Sequence, residues 1–336
     1  MLKKTLVIAE VAQEHNSSLK KALKFIDKSA KAGADYIKFQ MHIAKFESTL
    51  DEPFRKGFKF KEKTRYEYWK KMEFKNNEWK KIISRCKKKK IGFLCSPFSI
   101  EAFKRLRELG LKTWKIGSGE FFSDDLLNEI IKKKDKIILS TGMSNLIEIK
   151  NKIRLLKKKK IDFYLVQCTT QYPSSLKTTG INMLHYFKKK YKCKVGLSDH
   201  SGKLSPSLYC IFNSFDILEI HLRENNTKEE SPDTSSSLSF EELNFLCKMR
   251  DEMFVLKKFK VNKNLIAKKL LNTKKLFTKS FSLKKNIVKG HVISENDLYL
   301  KKPGTGIPYT EKYKIIRKKA AKDLPFNRLL KFKDLI

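Results

Sequence analysis

The stretch LVIAEVAQEHNSSLKKALKFIDKSAKAGADYIKFQ, residues 6–40, decides the fold. It opens on a short aliphatic run that reaches Glu10. It then carries apolar residues at three- and four-residue spacing over 18–31 and closes on a second run, 34–40, holding Lys38 and Gln40. Two short apolar runs joined by an amphipathic helix are the mark of a parallel β-α-β unit. Runs of the same kind recur at 92–98, 113–119, 136–142, 162–168, 194–200 and 215–222, and segments 100–109 and 146–156 repeat the helical spacing. Eight alternating repeats are the number that closes a barrel, so the prediction is an α/β protein with a (β/α)8 barrel.

In such a barrel the carboxyl ends of all strands meet on one face, where active sites are built. The runs end in chemically able residues. Side chains two apart on a strand share a face, so Lys38 pairs with Gln40, Ser198 with His200 and Glu219 with His221. His200 and His221 close neighbouring runs and are candidates to hold one divalent ion. Two imidazoles completed by water and substrate oxygens suit Mn²⁺ or a similar ion better than a structural zinc. His15 is a candidate for the mouth or for a simple turn. Ser96, Lys115, Ser118, Ser140 and Ser198, several hydroxyls around an ammonium, would bind a small phosphate dianion through charge-assisted hydrogen bonds. No Walker-type glycine loop accompanies them. Glu10, Glu120 and Glu219 are candidates for proton transfer.

Composition bounds the rest. The six cysteines contain no CxxC pair, which favours reduced thiols over disulfides or a zinc cluster. No run approaches transmembrane length and the basic start meets Glu10 before a signal-type apolar region is complete, so a soluble cytoplasmic protein without a membrane role is expected. The net charge of +39 suggests a polyanion. Placement argues otherwise: the lysine runs 87–90, 132–134, 157–160 and 188–190 each follow a helical stretch and precede a strand. Cations there complement the helix dipole on the face opposite the site, so no specific nucleic acid is expected.

Two segments break the beat. Residues 42–76 are long for a connection and crowded with Phe, Tyr, Trp and basic residues, as in a lid. Residues 223–239 are polar loop, after which Ser239 and Glu242 form a capping box for a helix reaching Met249. The barrel is placed at 1–255, a polar, basic linker with little pattern at 256–275, and a small β-rich domain at 276–336. That domain holds a faint repeat: NIVKGHVISENDL (286–298) superposes on DLPFNRLLKFKDL (323–335), matching Gly290 to Asn327, both tolerant of left-handed backbone.

The ordered motifs IAEVAQEHN (8–16), AGADYIKFQ (32–40), CSPF (95–98), KIGSGE (115–120), LSTGMS (139–144), QCTTQYP (167–173), VGLSDHSG (195–202) and KKPGTGIP (301–308) resemble those of the N-acetylneuraminate (sialic acid) synthase family over nearly the whole chain. The resemblance implies a transferase with a TIM barrel and an antifreeze-like (SAF, β-clip) domain. It implies condensation of phosphoenolpyruvate with an N-acetylated amino sugar such as N-acetylmannosamine, giving a sialic-type acid and phosphate. It also implies a divalent metal, Mn²⁺ with Mg²⁺ or Co²⁺ as alternatives, and a domain-swapped homodimer in which the small domain covers the other chain's site.

Position by position, the resemblance makes His200 and His221 metal ligands, and Ser96, Lys115, Ser118, Ser140 and Ser198 phosphate binders. Glu10, Lys38, Gln40, Glu120 and Tyr172 contact the reacting centre or the sugar, while Thr170, Asp233 and Lys302 face the sugar. The sugar side departs from the family pattern. Lys302 stands where an arginine is usual, Thr170 replaces an asparagine, Thr234 a histidine, and Ile220 a basic residue. A diacetamido sugar leading to legionaminate or pseudaminate is therefore the alternative acceptor. Two rival readings remain: an aldolase using Lys38 or Lys115 as a Schiff-base lysine, and a basic binding module without catalysis.

Overall fold

A computed structural model of the chain describes residues 3–54, 59–225 and 231–336. The expected lid and the expected loop after the eighth run each fall partly outside these residues. The chain divides into two compact units, Met1–Lys258 and Phe259–Ile336.

In the larger unit the eight strands β1 (Leu6–Glu10), β2 (Tyr36–Met41), β3 (Gly92–Pro97), β4 (Thr113–Ile116), β5 (Lys136–Ser140), β6 (Phe163–Cys168), β7 (Lys194–Asp199) and β8 (Ile217–His221) form a closed barrel in sequence order. Every neighbouring pair is parallel. Helices between strands cover the outside. The first, α1 (Leu19–Ala32), starts where the Ser18 side chain accepts the Lys21 N–H and stops at Gly33, whose φ of 92° is the left-handed turn that glycine adopts without strain. Two separate cores result. An outer one fills the space between strands and helices, with Phe25, Phe39, Phe103 and Trp114 fully buried. An inner one plugs the barrel with Ile8, Leu94, Ile138, Val166 and Ile217. Gly196 of β7 belongs to that inner layer because a Cβ there would lie 2.0 Å from the Ile217 carbonyl oxygen.

The insertion after β2 is more ordered than a plain loop: it contains α2 (Ala44–Glu47) and α3 (Arg65–Met72) ahead of α4 (Asn76–Lys89). Helix α4 ends in Lys87, Lys88 and Lys89, and the helices Asp124–Lys132, Leu146–Lys158 and Asn182–Tyr191 end in the other lysine runs, as expected. Ser239 and Glu242 cap the last barrel helix reciprocally. That helix runs past Met249 to Lys258, so the larger unit extends beyond residue 255.

The expected linker is not irregular. Residues 263–269 and 271–277 are short helices grouped with the smaller unit. That unit has a two-stranded antiparallel sheet, β9 (Ser280–Leu283) with β10 (Leu298–Lys301), and shows the internal repeat in its hydrogen bonds. Gly290 and Asn327 both have positive φ, 83° and 61°. Gly290 N–H donates to the Ala320 carbonyl and Asn327 N–H to the Leu283 carbonyl, which are equivalent bonds under the repeat. Ile287 and Leu324, themselves equivalent, exchange both backbone bonds at 2.8 and 2.7 Å. Each copy ends in a short turn whose Asp297 or Asp334 accepts the N–H of Ser294 or Lys331.

Candidate active site

Above the apolar plug, the barrel interior becomes charged. Register sets the neighbours: Glu10 lies opposite Lys38 of β2 on one side and His221 of β8 on the other, Gln40 opposite Ser96, and Ser198 opposite Glu219. Lys38 Nζ is 2.9 Å from Glu10 Oε1 and 3.3 Å from Ser96 Oγ. Lys115 Nζ is 2.7 Å from Glu219 Oε1, which also accepts from Ser198 Oγ at 2.9 Å. Gln40 Nε2 donates to Glu10 Oε1 at 2.8 Å. The four charged side chains are 4 % exposed or less, and at that depth an unpaired charge would not be tolerated.

Burial pushes the Glu219 carboxyl up, but the ammoniums of Lys115 and Lys38 outweigh it and bring it down to about 2. Burial likewise pushes Lys38 down, and the carboxylates of Glu10 and Glu219 more than reverse this. Glu10 moves the other way: burial raises it, Lys38 offsets part of the rise, and the charge of Glu219 adds to it. Two buried carboxyls with opposed shifts can play different roles at one pH. The Glu120 carboxyl is also raised, chiefly by burial.

The two histidines converge. Their ring centroids are 5.1 Å apart and nearly perpendicular, and both residues are buried. His200 Nδ1 donates to the Thr169 carbonyl at 2.9 Å, while Tyr172 stacks on the ring at 4.3 Å. His221 Nδ1 is buried, has no hydrogen-bond partner among the described residues and lies 3.9 Å from Asp233 Oδ2. Burial, reinforced by His200, holds the His221 imidazole well below its usual range, which leaves it neutral and able to ligate. Among the described residues no set of three or more His, Cys, Asp or Glu side chains gathers as a complete ligand cluster.

All these groups, with Glu120, Ser118, Ser140, Thr170, Tyr172 and Asp233, line one cavity of about 380 Å³ at the strand ends. The site residues expected from the sequence line it except His15 and Lys302; Lys302 belongs to the smaller unit with its ammonium over the Phe277 ring. Ser140 Oγ is buried without a partner among the described residues, a hydroxyl available to a ligand. Ser198, by contrast, already donates to Glu219, so an anion there would share or displace that bond. His15 does not reach the cavity; it packs on Phe74 and accepts the Ser17 N–H. Gly142 N–H donates to Ser118 Oγ, and a Cβ at 142 would meet Thr170 Oγ1 at 2.3 Å.

Sequence reasoning missed several lining groups. Phe60, Tyr68 and Trp69 come from the insertion after β2, together with Arg65, whose Nε is 3.2 Å from Glu52 Oε1. The aromatic crowding of 42–76 marks the segment but not which rings turn inward. Pro232 was missed too; it and the expected Asp233 are carried by a segment clasped by Glu14, which accepts at 2.5 Å from both Ser231 and Thr234.

A barrel that buries paired ammoniums and carboxylates beneath converging imidazoles, open to one cavity, is the architecture of an enzyme. The chain belongs to the NeuB family, whose profile matches residues 25–260. It is 32% identical over 98% of its length to the whole of an N,N'-diacetyllegionaminic acid synthase of Campylobacter jejuni. It is 30% identical over 99% of its length to 97% of a pseudaminic acid synthase of the same species. A crystal structure of the N-acetylneuraminic acid (sialic acid) synthetase of Leptospira borgpetersenii, in complex with citrate, superposes with a TM-score of 0.69 at 26% identity, covering 81% of this chain and 92% of that one. The chain is thus an enzyme of this synthase class. No described helix is long and apolar enough to cross a membrane.

Proposed function

We propose that the enzyme joins phosphoenolpyruvate to the open-chain aldehyde of an N-acetylated amino sugar, giving a nonulosonic acid and phosphate. The observation that carries this is the single cavity in which two ammoniums, several hydroxyls, two carboxyls and two imidazoles meet. Lys115 with Ser96, Ser118, Ser140 and Ser198 would hold the phosphate, leaving Lys38 as the second cation for a ligand that is anionic at both ends. C3 of the enol attacks the aldehyde carbon and the new carbon–carbon bond leaves C2 electron-poor. Water adds its oxygen at C2, giving its proton to Glu10. The tetrahedral carbon then becomes the C2 ketone: its hydroxyl proton passes to the departing phosphate as the carbon–oxygen bond to phosphate breaks. Glu120, which burial keeps prone to hold a proton, is the candidate donor to the former aldehyde oxygen.

His200 and His221 fit a divalent ion, since the buried His221 Nδ1 has no hydrogen-bond partner among the described residues. Mn²⁺ is the expected ion; bound there, it would act as a Lewis acid toward the aldehyde. The Schiff-base reading is disfavoured because both lysines are tied to carboxylates, which keeps an amine from attacking a carbonyl.

For the acceptor, a diacetamido sugar is favoured over N-acetylmannosamine. The Phe60, Tyr68 and Trp69 rings give the cavity apolar wall for a second acyl group, and the two Campylobacter relatives are named for legionaminic and pseudaminic acid. The test is phosphate release from phosphoenolpyruvate with a panel of mono- and diacetamido hexoses, with Mn²⁺ and with chelator. The expected result is Mn²⁺-dependent release that is fastest with a diacetamido sugar; no release with any acceptor would refute the reading.

We also propose a cytoplasmic homodimer in which Lys302 of a second copy reaches the sugar. Leu265, Leu270, Leu271, Leu276 and Phe277 on the two short helices are all about half exposed or more, as a surface awaiting burial would be. Light scattering should give twice the chain mass, and Lys302→Ala should raise the sugar KM; a monomer with full activity would exclude the arrangement.

A further inference from the structure

The cavity contains a hydrogen-bond relay that the proposed chemistry leaves unused. His42 follows β2 directly and is 5 % exposed. Its Nδ1 is 2.7 Å from Glu47 Oε1 and its Nε2 is 3.1 Å from Gln40 Oε1. An amide oxygen can only accept, so the ring nitrogen facing Gln40 Oε1 presents an N–H. The Gln40 amide is fixed by its other contacts. Its oxygen also accepts from Gln13 Nε2 at 2.7 Å, and its NH2 donates to Glu10 Oε1 at 2.8 Å. Turning the amide over would set its oxygen against Glu10 and its NH2 against the Gln13 donor.

Both ring faces are occupied as well. Trp69 stacks on one side at 4.0 Å and 15°, and Phe98 stacks at 4.4 Å and 25°. Glu47 is itself held, its second oxygen accepting the Ile43 N–H at 3.0 Å. Trp69 belongs to the insertion after β2 and donates from Nε1 to Glu52, so the same ring lines the cavity and clamps His42.

We infer that His42 is a positioning residue: an imidazole held by Glu47 at Nδ1 and clamped by Trp69 and Phe98, whose Nε2–H donates to the Gln40 oxygen and locks that amide so that its NH2 holds Glu10. The role assigned to Glu10 rests on the proposed condensation, whereas the relay itself does not. A carboxylate that must take a proton from water needs a fixed lone-pair direction, and the Gln40 donor supplies it. Losing that alignment lowers turnover while leaving the phosphate donors in place.

The test has two arms. In ¹⁵N-histidine NMR of the full-length protein, the resonances absent from His42→Phe should show Nε2 carrying a proton. An Nε2 without a proton overturns the inference, because the amide must then be reversed. This arm reads the relay even if the enzyme proves to use another substrate. In the second arm, His42→Phe keeps the stack and removes both ring nitrogens. With the acceptor sugar saturating, kcat should fall about tenfold to a hundredfold, with KM for phosphoenolpyruvate within about twofold. Glu47→Gln should fall less than His42→Phe. Wild-type kcat in His42→Phe, or an equal loss in kcat and in phosphoenolpyruvate affinity, overturns the positioning role.

Discussion

Lys38 and Lys115, at the carboxyl ends of β2 and β4, are buried against Glu10 and Glu219. The lysines of runs 87–90, 132–134, 157–160 and 188–190, at the opposite end of the same barrel, are all exposed. Where bottom lysines do pair, as Lys194 does with Asp162, both groups stand in solvent and the pair contributes little. One residue type thus does two jobs. At the top, pairing is obligatory because the charges are buried. At the bottom, lysine is tolerated because water is present and the helix ends favour a cation.

The sharpest way to break this contrast is Lys115→Met. It removes the nearest cation from the buried Glu219 carboxylate, leaving Ser198 and, at 3.9 Å, Lys38, so a loss of about 3–5 kcal/mol in denaturant unfolding is expected, along with loss of phosphate release. Adding Glu219→Leu should recover most of the stability and none of the activity. Wild-type stability in the single variant would mean that the top pairs are no more demanding than surface ones.

Replacing runs 87–90 and 157–160 by serine probes the other end. Turnover should stay within about twofold, surface changes of this kind usually being small in effect, while retention on DNA at low salt should fall. For the unaltered protein, retention should vanish near physiological salt. Tight binding to one DNA sequence at that salt would give the bottom face a function of its own.

The smallest effect sharpens the picture. Lys90, Lys134, Lys160 and Lys192 follow helices with φ between 48° and 57°, the left-handed region where a side chain is strained. Lys160→Gly should stabilise the barrel by about 1 kcal/mol, seen as a melting point higher by about 2–4 °C. No change would show that the lysine side chain compensates locally, as Lys134 does by donating to the Lys159 carbonyl.

How much of this was legible in the sequence follows from where burial imposes a pattern. The strands were readable because both faces are covered, and their closing residues because a parallel barrel brings all carboxyl ends together. Glu10, Lys38, Ser96, Lys115, His200 and His221 accordingly line one cavity. The helices over 263–277 were not readable because none of their residues is buried, so no apolar stripe exists to reveal the period. Helix α3 was hidden for a related reason: only Tyr68 and Met72 are buried, and Trp69 turns to the cavity. His42 and Glu47 carry no signal in spacing, since their roles depend on an amide two residues back and on rings from distant segments. Strand β2 also runs one residue past Gln40, to Met41, which sets His42 at its mouth.

The pairing of Ile287 with Leu324 bears on how the small unit forms. Each copy of the motif leaves main-chain donors and acceptors that the other copy answers, so neither half has a stable state to stop in. Such a unit should assemble in one cooperative step.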